Sequence, residues 1–184
     1  MHSAYGVVII MNINEILNIK YPIIQGGMAH IATGTFAAAV SEAGALGTIG
    51  SGAMKPERLE EEIKICKSKT SKPFSVNLFM LNPRIEDMVN VIIRNDVKIV
   101  SVGAGYPGKY LKILRDNGIL VLPLVSSPSQ AQYLDKKDIT AFIAEGMEAG
   151  GHIGDMPTMV LIPQVREAST HPIIAAGGIV LHLK

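Results

Sequence analysis

Short apolar runs alternate along this chain with longer stretches of helical spacing. Residues 22–25, 46–49, 74–79, 99–102, 120–125, 140–144 and 173–176 are four to six residues long, rich in Val, Ile, Leu and Ala, and closed by glycine or polar positions. That is the pattern of buried β-strands. Between them the spacing predicts helices. A short one covers 14–17, and an alanine-rich one covers 36–43 and stops at Gly44, a residue suited to a helix C-terminus. Residues 56–69 carry Pro56 in the first turn, acids early (Glu57, Glu60, Glu61, Glu62) and lysines late (Lys64, Lys67, Lys69), as the helix dipole favours. This charge run reads as a solvated helix face. Met88, Val89, Ile92 and Ile93 form one apolar stripe of a helix over 85–95. Further helices are predicted over 108–117, ending at Gly118, from Ser126-Ser127-Pro128 onward, and over 158–168.

The strands begin near residues 22, 46, 74, 99, 120, 140 and 173, so a strand-then-helix unit recurs about every 25 residues. Such alternation predicts a parallel sheet with crossover helices. Seven units without a change of pattern favour a TIM-type (β/α)₈ barrel over a doubly wound open sheet. No eighth strand follows Gly178, and a barrel of this type typically needs about 250 residues. The expectation is an incomplete barrel of about seven units, truncated before its eighth strand, with the first and seventh strands left with unpaired edges. Residues 1–11 read as an N-terminal extension and 12–184 as the partial barrel.

Composition narrows the function classes. Lys plus Arg number 17 against 16 for Asp plus Glu, with no basic block, so nucleic acid is not expected as a partner. The apolar stretch 5–11 is too short to span a bilayer and lacks the form of a signal peptide, so no membrane partner is expected. The lone cysteine, Cys66, excludes an intrachain disulfide and suits a reducing cytoplasm. It reads as a buried helix thiol. No His, Cys or carboxylate cluster has metal-ligand spacing, so no metal site is expected.

Chemistry concentrates in Glu145-Gly-Met-Glu-Ala-Gly-Gly-His-Ile-Gly154, which follows the sixth predicted strand and holds four glycines within nine residues. Without Cβ atoms, Gly150 and Gly151 let a planar ligand approach the backbone, and His152 supplies an imidazole suited to general acid–base work. Parallel α/β proteins bind ligands at this end of their strands. Among the other histidines, His30 reads as a loop wall, His171 as a surface turn, and His2 and His182 as terminal. Glu148 reads as a structural cap for the N–H groups of the glycine loop.

The ordered set Tyr21-Pro-Ile-Ile-Gln-Gly-Gly-Met28, Pro73-Phe-Ser-Val-Asn77, Gly103-Ala-Gly105, Glu145 to Gly154 and Ala175-Ala-Gly-Gly-Ile179 resembles the flavoenzyme superfamily of nitronate monooxygenases and FMN-dependent enoyl-acyl-carrier-protein reductases. The resemblance covers residues 12 to 179, each motif ending a predicted strand. It implies FMN at the carboxyl end of a barrel, with Gly26, Gly27 and Met28 against the flavin ring and Asn77 and Glu145 contacting it. Gly150 and Gly151 would leave room for the cofactor, and Gly177 and Gly178 would supply part of the phosphate cradle. It implies His152 as the active-site histidine.

Glu145, where monooxygenases commonly carry glutamine, and residues 103–110 resemble the reductase branch. That branch implies NAD(P)H as co-substrate, an enoyl substrate carried on acyl-carrier protein, fatty-acid synthesis and a homodimer. The alternatives are nitronate monooxygenation, with FMN, O₂ and His152 as the base, a flavin-independent barrel enzyme taking a phosphorylated metabolite at Gly177-Gly178, and an inactive truncated fragment.

Overall fold

The computed structural model describes residues 12–52, 54–151 and 154–179. The expected extension, residues 1–11, lies outside the described residues, as do His2, His152 and His182. In chain order the elements are α1 (Ile13–Leu17), α2 (Gly34–Glu42), β1 (Gly47–Gly50), α3 (Pro56–Lys69), β2 (Phe74–Phe79), α4 (Ile85–Arg94), β3 (Ile99–Gly103), α5 (Lys109–Asp116), β4 (Leu120–Val125), α6 (Pro128–Leu134), β5 (Phe142–Glu145), α7 (Thr158–Ala168) and β6 (Ile173–Ala176). The six strands form one sheet in sequence order, and every pair is parallel. It is the curled sheet of an incomplete TIM-type barrel.

Seven strands are expected from the sequence, and the first is reduced to a bridge. Residues 22–25 pair with the edge of the sheet only through Ile24 opposite Leu46, with Leu46 N–H donating to Ile23 O (2.9 Å) and Gln25 N–H to Leu46 O (3.0 Å). Backward, the next donor of this ladder, the Ile23 N–H, donates instead to Tyr21 O (2.7 Å), and Gly44 O accepts the N–H groups of Lys20 and Tyr21. Forward, the Thr48 N–H donates to the side-chain Oε1 of Gln25 (2.9 Å). A side chain thus takes the place of the next backbone partner, and the chain leaves for Gly26.

Alternation within the strands divides two apolar layers. Ile49, Val76, Val100, Val121 and Phe142 are fully buried toward the helices, where Leu59, Ile63, Ile92, Leu114 and Leu161 meet them. Leu46, Ile99, Leu122 and Ile143 form the other layer, which Leu17 of α1 closes. Polar groups share that layer: Thr48 Oγ1 and Ser75 Oγ lie 2.6 Å apart across β1 and β2. Each satisfies the other's buried hydroxyl.

Helix α2 lies close against β1 and α3 because glycines permit it. A Cβ on Gly47 would fall 1.9 Å from the Ala37 carbonyl oxygen, and one on Gly34 would fall 2.0 Å from that of Glu62. Helix α3 carries the exposed ion pairs its sequence predicts, such as Arg58–Glu61 and Lys64–Glu60. Glu62 corrects that picture. Its side chain is only 2% exposed, and its carboxylate accepts the Gly34 N–H (2.6 Å) at the start of α2, satisfying a donor that the helix cannot pair itself. Cys66 is buried on the same helix as expected, and burial, with Glu62 nearby, pushes its thiol up to about 12.

His171 also departs from expectation. Its Nδ1 lies 2.8 Å from Asp135 Oδ1, and its ring packs edge-on to Phe142. Asp135 also accepts from Ser169 Oγ (2.8 Å) and Thr170 N–H (2.9 Å), which ties the end of α6 to the turn before β6.

Two outcomes are expected. Gly47→Ala should cost about 3 kcal/mol in urea unfolding, because backbone must move to admit the Cβ; a cost near zero would show that the α2–β1 approach is not constrained. At Asp135, burial pushes the pKa up, but the hydrogen bonds from His171, Ser169 and Thr170 outweigh it and hold the carboxyl well below the usual carboxylate range. Its contribution to stability is complete above the unfolded value of about 3.9 and is lost as pH falls from there through the folded value. Asp135→Asn should therefore flatten the loss of stability below about pH 4, and an unchanged acid limb would show that the network is not linked to folding.

Candidate active site

Parallel pairing places the carboxyl ends of all six strands on one edge of the sheet, where the loops carrying the predicted site residues emerge. Met28 stands at the crossing of two of them. Its backbone passes over the end of β1, where a Cβ on Gly50 would fall 2.6 Å from the Met28 carbonyl oxygen, and its carbonyl accepts the Ala32 N–H (2.9 Å). Gly27 lies against Asn77, since a Cβ there would fall 2.4 Å from Asn77 Cβ. Asn77 in turn donates from Nδ2 to Ser101 Oγ on β3 (2.9 Å), and its carbonyl accepts the Ser51 hydroxyl. Gly27, Met28 and Asn77 are thereby brought into one cluster.

A second cluster joins the loops after β5 and β6. Glu145, the last residue of β5, stands opposite Ala176. It is half-buried, and that burial raises its pKa. The Gly146 N–H donates to the Ala176 carbonyl (3.0 Å). Gly177 and Gly178 both adopt left-handed φ values, +100° and +63°. Among the described residues neither of their N–H groups donates a hydrogen bond. Besides the backbone N–H of its own position in the glycine loop, the Glu148 carboxylate caps a helix outside that loop. Its Oε2 accepts from the N–H (2.8 Å) and Oγ1 (2.7 Å) of Thr158 at the start of α7, bonds that hold its pKa below the ordinary value.

Gly26, Gly150 and Gly151 belong to neither cluster by contact. Among the described residues nothing lies within 4 Å of a Cβ built on any of them. Ser51, Ser101 and Thr158 are site-supporting residues that the sequence reading missed. Ser101 had a signal: it is the polar position inside the apolar strand Ile-Val-Ser-Val. A cavity of about 910 Å³ lies at the opposite, amino end of the strands, where Phe74, Ile99 and Leu120 line it; none of the predicted site residues does. No helix of the described residues is long and apolar enough to cross a membrane.

These features suit a phosphorylated planar cofactor. Glycine backbone uncovered among the described residues suits a ring, the Asn77 amide suits its polar edge, and two successive N–H groups with no partner among the described residues suit an anion. Parallel β/α barrels carry their active sites at this carboxyl edge. The family model of nitronate monooxygenase matches residues 11–90 and 84–183, and the chain belongs to that family, whose members are flavin-dependent oxidoreductases.

Among solved structures, FabK from Thermotoga maritima is similar over 94% of this chain and 55% of its own, at 48% identity and a TM-score of 0.90. A nitroalkane oxidase from Streptomyces ansochromogenes matches over 88% of this chain and 59% of its own, at 29% identity and a TM-score of 0.82. A probable nitronate monooxygenase of Staphylococcus saprophyticus is 30% identical, covering 91% of this chain and 60% of its own length. The chain thus spans about half to three-fifths of the length of these relatives.

Gly26→Leu separates cofactor space from folding. Its side chain would enter the open region, so stability should stay within about 0.5 kcal/mol of wild type, while FMN retention on a desalting column should fall. Undiminished retention would remove Gly26 from the flavin site.

Proposed function

We propose that this chain carries the flavin site of an FMN-dependent oxidoreductase of the enoyl-acyl-carrier-protein reductase type. NAD(P)H would be the reductant and an enoyl thioester on acyl-carrier protein the substrate. The observation that carries this reading is the 48% identity with FabK, an enoyl-acyl-carrier-protein reductase, across 94% of this chain. Bound FMN would supply the redox chemistry, taking hydride from NAD(P)H and passing it to the enoyl β-carbon.

The chain's own residues would bind and orient. The backbone of Gly26, Gly27 and Met28 would border the ring, Gly150 and Gly151 would leave room for it, and Asn77 and Glu145 would hydrogen-bond its polar edge. Burial raises the pKa of Glu145 above its ordinary value. Gly177 and Gly178 would direct their N–H groups at the phosphate. His152 would orient or protonate the substrate. A homodimer in the cytoplasm is proposed with this reading, supported by the resemblance to such reductases and by the single, buried, unpaired Cys66.

The family model and the staphylococcal relative favour a second reading, nitronate oxidation with O₂. There His152 would act as the base that takes the substrate's α-proton.

One spectrum separates the readings. After addition of FMN and removal of free flavin, the protein should keep flavin absorbance, and anaerobic NADH or NADPH should bleach it. Retained flavin that neither nucleotide bleaches, but that turns over nitronate in air, would replace the first reading with the second. A protein that keeps no flavin would sink both.

A further inference from the structure

We propose that Glu148 is a positioning residue for phosphate binding: bonded to Thr158, it sets the conformation of the Gly177-Gly178 turn that would receive the phosphate of FMN. The inference rests on the flavin reading above.

Helix α7 begins without a cap of its own, since Pro157 at its N-cap has no side-chain acceptor. Its first N–H groups need a partner from elsewhere. Glu148 reaches back across ten residues to supply one, accepting both the N–H and the hydroxyl of Thr158. The same Thr158 Oγ1 lies 3.0 Å from the Gly177 carbonyl oxygen. A Cβ on Gly177 would fall 2.9 Å from that Oγ1, and one on Gly178 would fall 2.9 Å from Glu148 Cβ. The two glycines therefore rest directly on the Glu148–Thr158 pair. Their left-handed φ values are states that glycine leaves easily, so this support selects the conformation in which their N–H groups meet no partner among the described residues.

A carboxylate beside a phosphate site opposes binding through its charge. The hydrogen bonds to Thr158 and the positive end of α7 offset that charge. Charge and geometry thus act with opposite signs, and two substitutions separate them. Glu148→Gln keeps an acceptor for Thr158 and removes the charge. Glu148→Ala removes both.

The test titrates the full chain and its variants with FMN and with riboflavin, which has the same ring and no phosphate, following flavin fluorescence. Glu148→Ala should weaken FMN about tenfold while leaving riboflavin within about twofold, and Glu148→Gln should bind FMN at least as well as wild type. Thr158→Val should behave as Glu148→Ala does, and Thr158→Ser should restore wild-type binding. Unchanged FMN affinity in Glu148→Ala and Thr158→Val, a loss shared equally by riboflavin, or a Gln variant as weak as the Ala variant would each overturn the proposal. A wild-type chain that binds FMN no better than riboflavin would overturn it too, leaving the flavin reading intact. A wild-type chain that binds neither would sink the flavin reading itself.

Discussion

Consecutive strands that all run in one direction must be joined by segments that return along the outside of the sheet. That constraint orders everything else here. It places the crossover helices on one face, aligns the carboxyl ends of all six strands along one edge, and collects there loops that are distant in sequence. The register sets Asn77 opposite Ser101, and the loops that leave the same edge bring Gly27 to Asn77 and Gly177 to Thr158. The chemistry is local to an edge that the hydrogen-bond ladder creates.

Within that frame the glycines divide into two kinds. Gly34, Gly47, Gly50 and Gly146 are crowded, with another backbone where a side chain would be; they let segments approach more closely than any Cβ permits. Gly26, Gly150 and Gly151 are open among the described residues, and their missing side chains suit the approach of a ring. The first kind supports the architecture and the second suits a ligand. Both kinds look alike in a sequence.

Carboxylates do similar double service. Glu62 satisfies the start of α2, Glu148 the start of α7, and Asp135 the turn before β6. Each accepts backbone N–H donors from a segment that follows no repeating spacing, and each holds a crossover in place. Charge-assisted bonds of this sort are stronger than neutral ones, which suits joints between elements.

By itself the sequence determined the elements and their order. Helices 56–69 and 158–168 and strands 74–79, 120–125 and 173–176 fall where hydrophobic spacing, Pro56 and the bounding glycines put them, because those signals act over a few residues. The motif set around Gly26, Asn77, Glu145 and Gly177 was legible for the same reason: each motif is contiguous. Only the tertiary structure decided that residues 22–25 make a single bridge, that Glu62 is buried within an otherwise solvated charge run, that His171 is held by Asp135, and that Glu148 and Thr158 lie beneath the Gly177-Gly178 turn. Those outcomes depend on what a segment 10 to 36 residues away presents, and no local pattern records the partner.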